Sequence, residues 1–371
     1  MVVASALSLA IWLYLLLARG AFWRFSESAP LPLDNAPPVA VIIPARDEAE
    51  VIGKAVASLL RQDYSGPLHI FVCDDHSADG TAEVARSCGA PDRLTIVPVS
   101  ELPPGWTGKL WAISEGLTAT ASFNAGYFLF TDADIVHAPG NVSALVARAE
   151  SSGLDLVSYM VKLRCRSFAE RALIPAFVFF FFMLYPPEWI ASPDRKTAGA
   201  AGGCIVIRAQ ALHRIGGVGS IRGELIDDCA LAAKVKQSGG RVSLGPTSAT
   251  ESIREYTTFR EVGAMISRTA FTQLRHSPLL LAGTIAGLVI TYLAPPLLLI
   301  SGNSLAAALG LAAWLLMSLA FLPAVRFYGL SLLWALTLPA AAIFYMGATV
   351  QSALQYWTGR GGFWKGRVQD R

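Results

Sequence analysis

The chain has 371 residues, 53% hydrophobic and only 15% charged, where an ordinary soluble domain carries about 25% Asp, Glu, Lys and Arg. That balance excludes intrinsic disorder. The formal net charge of +3 and the lack of a Lys/Arg stripe exclude a nucleic-acid-binding protein of the usual kind.

Met1 to Ala18 is uncharged and is followed by Arg19 and Arg24. A cleaved signal peptide competes with an uncleaved anchor here. The absence of basic residues before the apolar core and of a small-x-small cleavage site favours the anchor, giving residues 1–24 that role and residues 25–38 that of a linker with Pro30, Pro32, Pro37 and Pro38. Residues 39–276 then form one large domain with nearly balanced charge.

Val39 to Ile43 is uniformly apolar and bounded by Pro44, as a strand covered on both faces would be. Glu48 to Leu60 carries its apolar residues at helical spacing, opened by acids. His69 to Cys73 reads as a strand, and a helix begins near Gly80; Leu94 to Val97 is a third strand, Leu110 to Ala121 a helix and Tyr127 to Phe130 a fourth strand. Such alternation predicts an α/β fold with a mainly parallel sheet and helices on both faces, which binds ligands beyond the carboxyl ends of its strands.

Three of those strands deliver acids to one edge: Pro44-Ala-Arg46-Asp-Glu48, Asp74-Asp75-His-Ser, and Thr131-Asp132-Ala-Asp134. If the last strand stays extended, Asp132 and Asp134 leave on the same face, where Mg²⁺ or Mn²⁺ could be held together with a substrate diphosphate. Ending a strand in a solvated turn would explain the same triplet. Ser77, Asp79 and Thr81 suit helix capping, while Asp75 could accept from a nucleoside. No Gly-x-Gly-x-x-Gly follows any strand and no P-loop is present. Gly199 to Ile207 is a small-residue turn feeding a strand, and Asp227-Asp228 opens a helix that stops at Gly239-Gly240. One of those two carboxylates could serve as a base.

Cysteines at 73, 88, 165, 204 and 229 form no C-x-x-C pair, and the five histidines show no metal-ligand spacing. Cys73 and Cys204 lie in apolar runs and suit core packing in a reducing compartment. Ala172 to Pro187 is uncharged, rich in Phe and interrupted by Pro175 and Pro186. Near 172–190 an interfacial helix is expected, with a buried core helix as the other choice. From Ser277 to Val325, and again from Phe327 to Gly359, no residue is charged. Residues 277–359 therefore supply two or three membrane segments, and 360–371 form a basic tail suited to anionic headgroups through Trp364-Lys-Gly-Arg367. Arg19, Arg24 and Arg275 put the domain on the cytoplasmic side.

Taken in order, Pro44-Ala-Arg-Asp-Glu48, Asp74-Asp75-His-Ser-Ala-Asp-Gly-Thr81, Gly108-Lys109, Thr131-Asp132-Ala-Asp134, Gly202-Gly203 and Asp227-Asp228 resemble the GT-A glycosyltransferases of family 2 over about residues 38–275. Within that family the Asp-Asp-His-Ser variant, Ser267 to Arg275 and Trp364 to Arg367 look most like the membrane glycosyltransferases associated with hopanoid biosynthesis. The resemblance implies a GT-A nucleotide-diphospho-sugar transferase fold in a multi-pass protein of the bacterial inner membrane. It further implies inverting transfer of one sugar from a nucleotide-diphosphate sugar to a lipid acceptor, with a divalent cation as cofactor and no nucleic acid as partner.

Residue by residue, the resemblance puts Pro44, Arg46, Glu48, Asp74 and Asp75 around the nucleoside and Lys109 near the diphosphate. Asp132 goes to ribose and metal, Asp134 to the metal, and Asp228 beside Asp227 to the general base. Gly202, Gly203, Arg268 and Phe271 fall in the acceptor region. His76 replaces the usual Gly or Asn, and the Gln-x-x-Arg-Trp signature of processive synthases is missing, which disfavours polymerisation. A polyprenyl-phosphate sugar transferase would share the site and need a basic pocket, for which Arg166, Arg254, Arg268 and Arg275 are available. An inactive membrane scaffold has no physical need for so complete an acidic set.

Overall fold

The protein is described by a computed structural model covering residues 1–29 and 31–361 and the strand residues 363–364 and 367–368. Pro30 of the linker lies outside the described residues, as do the side chains on which the reading of the tail at Trp364-Lys-Gly-Arg367 rests. The chain divides into two compact units, one of Ser26–Arg164 and Trp189–Arg254, the other of Met1–Phe25, Cys165–Glu188 and Glu255–Arg371.

The first unit is built on an eight-stranded sheet. Its strands are β1 (Val39–Ala45), β2 (Leu68–Asp74), β3 (Leu94–Pro98), β4 (Tyr127–Phe130), β5 (Ile135–His137), β6 (Leu156–Lys162), β7 (Ile205–Arg208) and β8 (Val242–Ser252), in the order β3-β2-β1-β4-β7-β6-β8-β5. Every residue of β1 is buried, which is why its sequence is an unbroken apolar run rather than an alternating one. Pairing is parallel from β3 through β2 and β1 to β4 and again between β6 and β8. β7 runs antiparallel to both β4 and β6, and β5 antiparallel to β8. The sheet is therefore mixed, with the parallel half carrying the first three acidic loops.

Two registers fix the geometry of the loops at the strand ends. Ala45 pairs with Asp74, so Arg46 and Asp75 leave the sheet side by side. Phe130 pairs with Ile205 across the antiparallel junction, so Thr131 and Asp132 emerge beside Cys204 and Gly203.

Helices Ala49–Leu60 and Gly108–Ala119 follow β1 and β3, the second started by Thr107, whose side chain accepts from the Leu110 amide. Within it, Gly116 faces the sheet so closely that an added Cβ would lie 2.5 Å from Cys73 Sγ and 2.8 Å from Ile42 Cγ2. Cys73 and Cys204 are both fully buried, as core packing requires.

The second unit is helical. Among the described residues, four helices are long and apolar enough to cross a membrane: Phe168–Ala191, Pro278–Leu298, Ser304–Phe327 and Leu332–Trp357. The first covers the segment expected near 172–190 and is interrupted between Leu184 and Pro187. A capping box between Ser167 and Glu170 starts it upstream of the uncharged run, with Pro175 accommodated inside. Val2–Ala18 is a shorter apolar helix. Trp12 of that helix donates to the Thr291 carbonyl at 2.8 Å and Ser5 to the Ala306 carbonyl at 2.9 Å, placing polar side chains on backbone acceptors inside an apolar bundle.

Gly116→Ala tests the packing of helix against sheet. Ala favours a helix over Gly by about 1 kcal/mol, but overpacking a full core costs about 1–3 kcal/mol. A net loss of about 1 kcal/mol, read as a lower midpoint in chemical denaturation of the detergent-solubilised protein, is expected; a stabilised variant would show that the helix sits farther from the sheet.

Candidate active site

The loops after β1 and β2 are tied into one wall. Arg46 Nη1 donates to the Asp75 carbonyl at 2.7 Å and lies 3.5 Å from its carboxylate. The other oxygen of Asp75 is 3.1 Å from His76 Nδ1. Asp47 and His76 both adopt left-handed backbone, at φ 51° and 56°. That conformation is uncommon for residues with a Cβ and is held here by cross-links between the loops. Asp47 N–H donates to Ser77 Oγ, Glu48 N–H to Thr81 Oγ1 and Ala49 N–H to Asp79 Oδ2. Ser77, Asp79 and Thr81 thus serve the neighbouring loop, and Asp79 also accepts from the Thr81 amide at the start of its own helix. Asp74 contributes a buried Oδ1 that has no hydrogen bond among the described residues.

A second group gathers around one lysine. Lys109, in the first turn of Gly108–Ala119, places Nζ 2.9 Å from Asp132 Oδ1 and 3.5 Å from Asp227 Oδ2. Asp228, in the first turn of helix Asp227–Gln237, accepts from Gly202 N–H at 2.8 Å and from its neighbour Cys229 N–H at 2.7 Å. A Cβ at position 202 would lie 3.0 Å from Lys109 Nζ and 3.4 Å from Asp228 Oδ2, so a side chain there would press between cation and carboxylate. Gly203 is equally confined, by Val161 at 2.7 Å.

Burial works against the charge on Lys109, but Asp132, Asp227 and Asp228 outweigh it and hold the ammonium pKa above its ordinary value. Asp228 is displaced the other way for a carboxylate. Burial first and the neighbouring charge of Asp227 second push its pKa up to about 6, against the pull of Lys109 and the two amides. With Pro44, Asp132 and Gly202, these residues line a cleft at the carboxyl ends of the parallel strands.

Asp134 belongs to a third arrangement. The chain does not stay extended past β4: Asp132 to Asp134 form a turn in which Ile135 N–H reaches the Asp132 carbonyl at 3.3 Å. The two aspartates consequently meet different partners rather than presenting one shared face. Asp134 Oδ2 accepts from Ser252 Oγ at 2.9 Å and from Arg254 Nε at 3.0 Å. The same guanidinium gives Nη2 to both oxygens of Glu48 at 2.8 Å. Burial raises the Asp134 pKa, with Arg254 opposing it.

Arg254 is accordingly engaged by Glu48 and Asp134 and is not an available cation for a lipid phosphate, which corrects the sequence expectation. Sequence reading also missed its part in this site and that of Ser252. The available signal was a cation just beyond the last strand of a sheet whose other ends carry acids.

Pro44, Arg46, Glu48, Asp74, Asp75, Lys109, Asp132, Asp134, Gly202, Gly203, Asp227 and Asp228 all fall in the sheet unit. Arg268 and Phe271 fall in the helical one. Arg268 is exposed. Phe271 is 1% exposed, with ring contacts to Tyr356 and Trp357 near 5.5 Å, so it is a packing residue with no surface to offer an acceptor. Among the described residues no group of three or more His, Cys, Asp or Glu is arranged to hold a metal ion. The candidate ligands are Asp132 and Asp134 alone.

The family model described as "Glycosyltransferase like family 2" matches residues 37–270. The 4,4'-diaponeurosporenoate glycosyltransferase of Staphylococcus aureus (strain USA300) is 37% identical over 102 residues, 27% of this chain and 25% of that protein. The chain thus spans about a quarter of the length of the curated relatives it matches. Glucosyl-3-phosphoglycerate synthase from Mycobacterium tuberculosis aligns over 62% of this chain and 76% of its own at 20% identity and a TM-score of 0.40. Mannosyl-3-phosphoglycerate synthase from Rubrobacter xylanophilus aligns over 64% and 74% at 19% identity and a TM-score of 0.40.

Arg254→Gln removes the cation shared by Glu48 and Asp134, which are 9% and 8% exposed. Unpairing a fully buried ion pair costs about 3–5 kcal/mol. With Arg254 itself 34% exposed, solvent relieves part of this and a loss of about 2 kcal/mol is expected in chemical denaturation. An unchanged midpoint would contradict the bridging role.

Proposed function

The chain belongs to glycosyltransferase family 2, and from that premise we propose that it moves one sugar, with inversion, from a nucleotide-diphosphate sugar to a lipid acceptor in the membrane. A hopanoid-related acceptor is the finer form of this reading. The observation that carries the chemistry is Asp228: a carboxylate with a pKa near 6, held by Gly202 N–H beside Lys109 at the edge of the cleft. A base of that strength is ionised at neutral pH yet basic enough to take a proton in the transition state.

In the proposed reaction the acceptor hydroxyl gives its proton to Asp228 as its oxygen attacks the anomeric carbon. The bond from that carbon to the diphosphate breaks on the opposite side. Charge then builds on the departing nucleoside diphosphate, and Lys109 is the cation facing it, stabilising the transition state more than the ground state. Pro44 and the cross-linked loops carrying Arg46, Glu48, Asp74 and Asp75 frame the nucleoside, with Asp132 toward the ribose. Gly202 and Gly203, where a side chain would press on Lys109, Asp228 and Val161, let the turn pack closely against the residues that line the cleft.

The donor set also fits a divalent cation. Lys109 faces three carboxylates and Arg254 faces two, leaving an acidic excess in both arrangements. Asp132 and Asp134, held in this structure by Lys109 and by Arg254, are the residues that would hold Mg²⁺ or Mn²⁺ together with diphosphate oxygens. When bound, the ion supplies further neutralisation of the leaving diphosphate.

A lipid acceptor is supported by the four apolar helices long enough to cross a membrane. The Staphylococcus aureus relative is named for transfer to 4,4'-diaponeurosporenoate, which supports a discrete acceptor. Arg19, Arg24 and Arg275 beside the apolar segments support a cytoplasmic sheet unit, and the location proposed is a bacterial inner membrane. The polyprenyl-phosphate alternative is weakened by the engagement of Arg254.

Incubating membranes containing the protein with a panel of labelled nucleotide sugars should put label into a lipid extract for one donor. No labelled lipid with any donor, or label in a polymer, would overturn the proposal. In the same assay Asp228→Asn should bind donor within a few-fold of wild type but lose about 10²–10⁴ in rate. Because the base must be ionised, the wild-type rate should fall about tenfold per pH unit below pH 6. That limb should vanish from the residual activity of Asp228→Asn; a wild-type limb persisting there would assign the base elsewhere.

A further inference from the structure

Beneath the cleft lies a line of buried polar groups to which the reaction assigns no role: Asn141, His137 and Thr131, all within 3% of full burial. Thr131 Oγ1 is 2.8 Å from the Gly203 carbonyl and 3.0 Å from His137 Nε2. His137 Nδ1 is 3.0 Å from Asn141 Nδ2. A threonine hydroxyl has one proton, and a carbonyl can only accept. Thr131 therefore donates to Gly203 and must accept from His137, which puts the imidazole proton on Nε2. Nδ1 is then an acceptor, and Asn141 donates to it. This assignment leaves Asn141 Oδ1 as the group without a hydrogen bond, as the structure has it among the described residues.

Burial lowers the His137 pKa to about 3, keeping the ring in the neutral form that the chain of donors requires. The line ends on the turn whose Gly202 N–H holds Asp228, two peptide units from that amide. Its terminal acceptor is the Gly203 carbonyl, and one residue earlier Gly202 N–H donates to Asp228 Oδ2 at 2.8 Å. On the far side of the turn, Ser158 Oγ accepts from Ala201 N–H at 2.8 Å.

We propose that Thr131 and His137 are positioning residues for Asp228, acting through a one-way hydrogen-bond line from Asn141 to the Gly203 carbonyl that fixes the Gly202–Gly203 turn. The inference rests on the reading of Asp228 as the base. It gives His137 and Asn141, neither of which meets substrate, a role in turnover rather than in donor binding.

The separating experiment uses near-isosteric pairs in the full-length membrane protein. Thr131→Val keeps shape but removes the hydroxyl, and should lower kcat at least tenfold while leaving donor KM within threefold. Thr131→Ser restores the hydroxyl and should recover most of the loss. His137→Gln can place an amide N–H near Nε2 and should retain more kcat than His137→Leu, which cannot; this pair decides the question should Thr131→Val not fold. Wild-type kcat in Thr131→Val, equal losses in the valine and serine variants, or a loss carried by donor KM would overturn the proposal. Asp228→Asn in parallel distinguishes the two levels. If it is inactive while Thr131→Val is not, only the positioning line fails; if it is fully active, the base assignment fails and this inference with it.

Discussion

Three carboxylates from two separate stretches of chain converge on one ammonium, and the geometry of the cleft follows from satisfying that convergence. Two like charges 4 Å apart repel by about 4 kcal/mol at the effective dielectric typical of a protein surface. Lys109 offsets the repulsion among Asp132, Asp227 and Asp228, and with one cation against three acids the balance still lies on the acidic side. The chain relieves part of the excess by raising the pKa of Asp228. The compromise that stabilises the cleft is thus also what the proposed role of Asp228 as base draws on.

The sheet supplies the precision this arrangement needs. Antiparallel pairing of β7 with β4 brings the Gly202–Gly203 turn against the strand end that carries Asp132. On the parallel side, matched strand ends let the loops after β1 and β2 bind each other through side-chain caps. Arg254 then joins Glu48 of one loop to Asp134 of another. The edge of the sheet is therefore a set of cross-braced loops, and pre-organisation of that kind is what electrostatic catalysis draws on.

Much of this was legible in the amino-acid order. A wholly apolar β1 announces burial on both faces, and acids at successive strand ends announce the functional edge, because both signals are local in sequence. The strand direction of β7 was not legible, since an apolar four-residue run reads the same in either direction. Nor were the separate fates of Asp132 and Asp134: the turn after Phe130 breaks the period-two rule on which a shared face depends. Arg254 was misassigned for a different reason. Its partners lie 120 and 206 residues away, and spacing carries no record of such pairings. Phe271 kept the company of polar neighbours in sequence but is buried among aromatic rings in the fold.

A single displacement at the anomeric carbon, with Asp228 taking the acceptor proton, fixes the stereochemistry of the product. The most direct measurement is the anomeric configuration of the newly formed glycosidic bond, read from the one-bond carbon–hydrogen coupling at the anomeric centre of the purified glycolipid. An α-linked nucleotide-sugar donor should give a β-linked lipid. An α-linked product from that donor would contradict the one-base mechanism and the role given to Asp228.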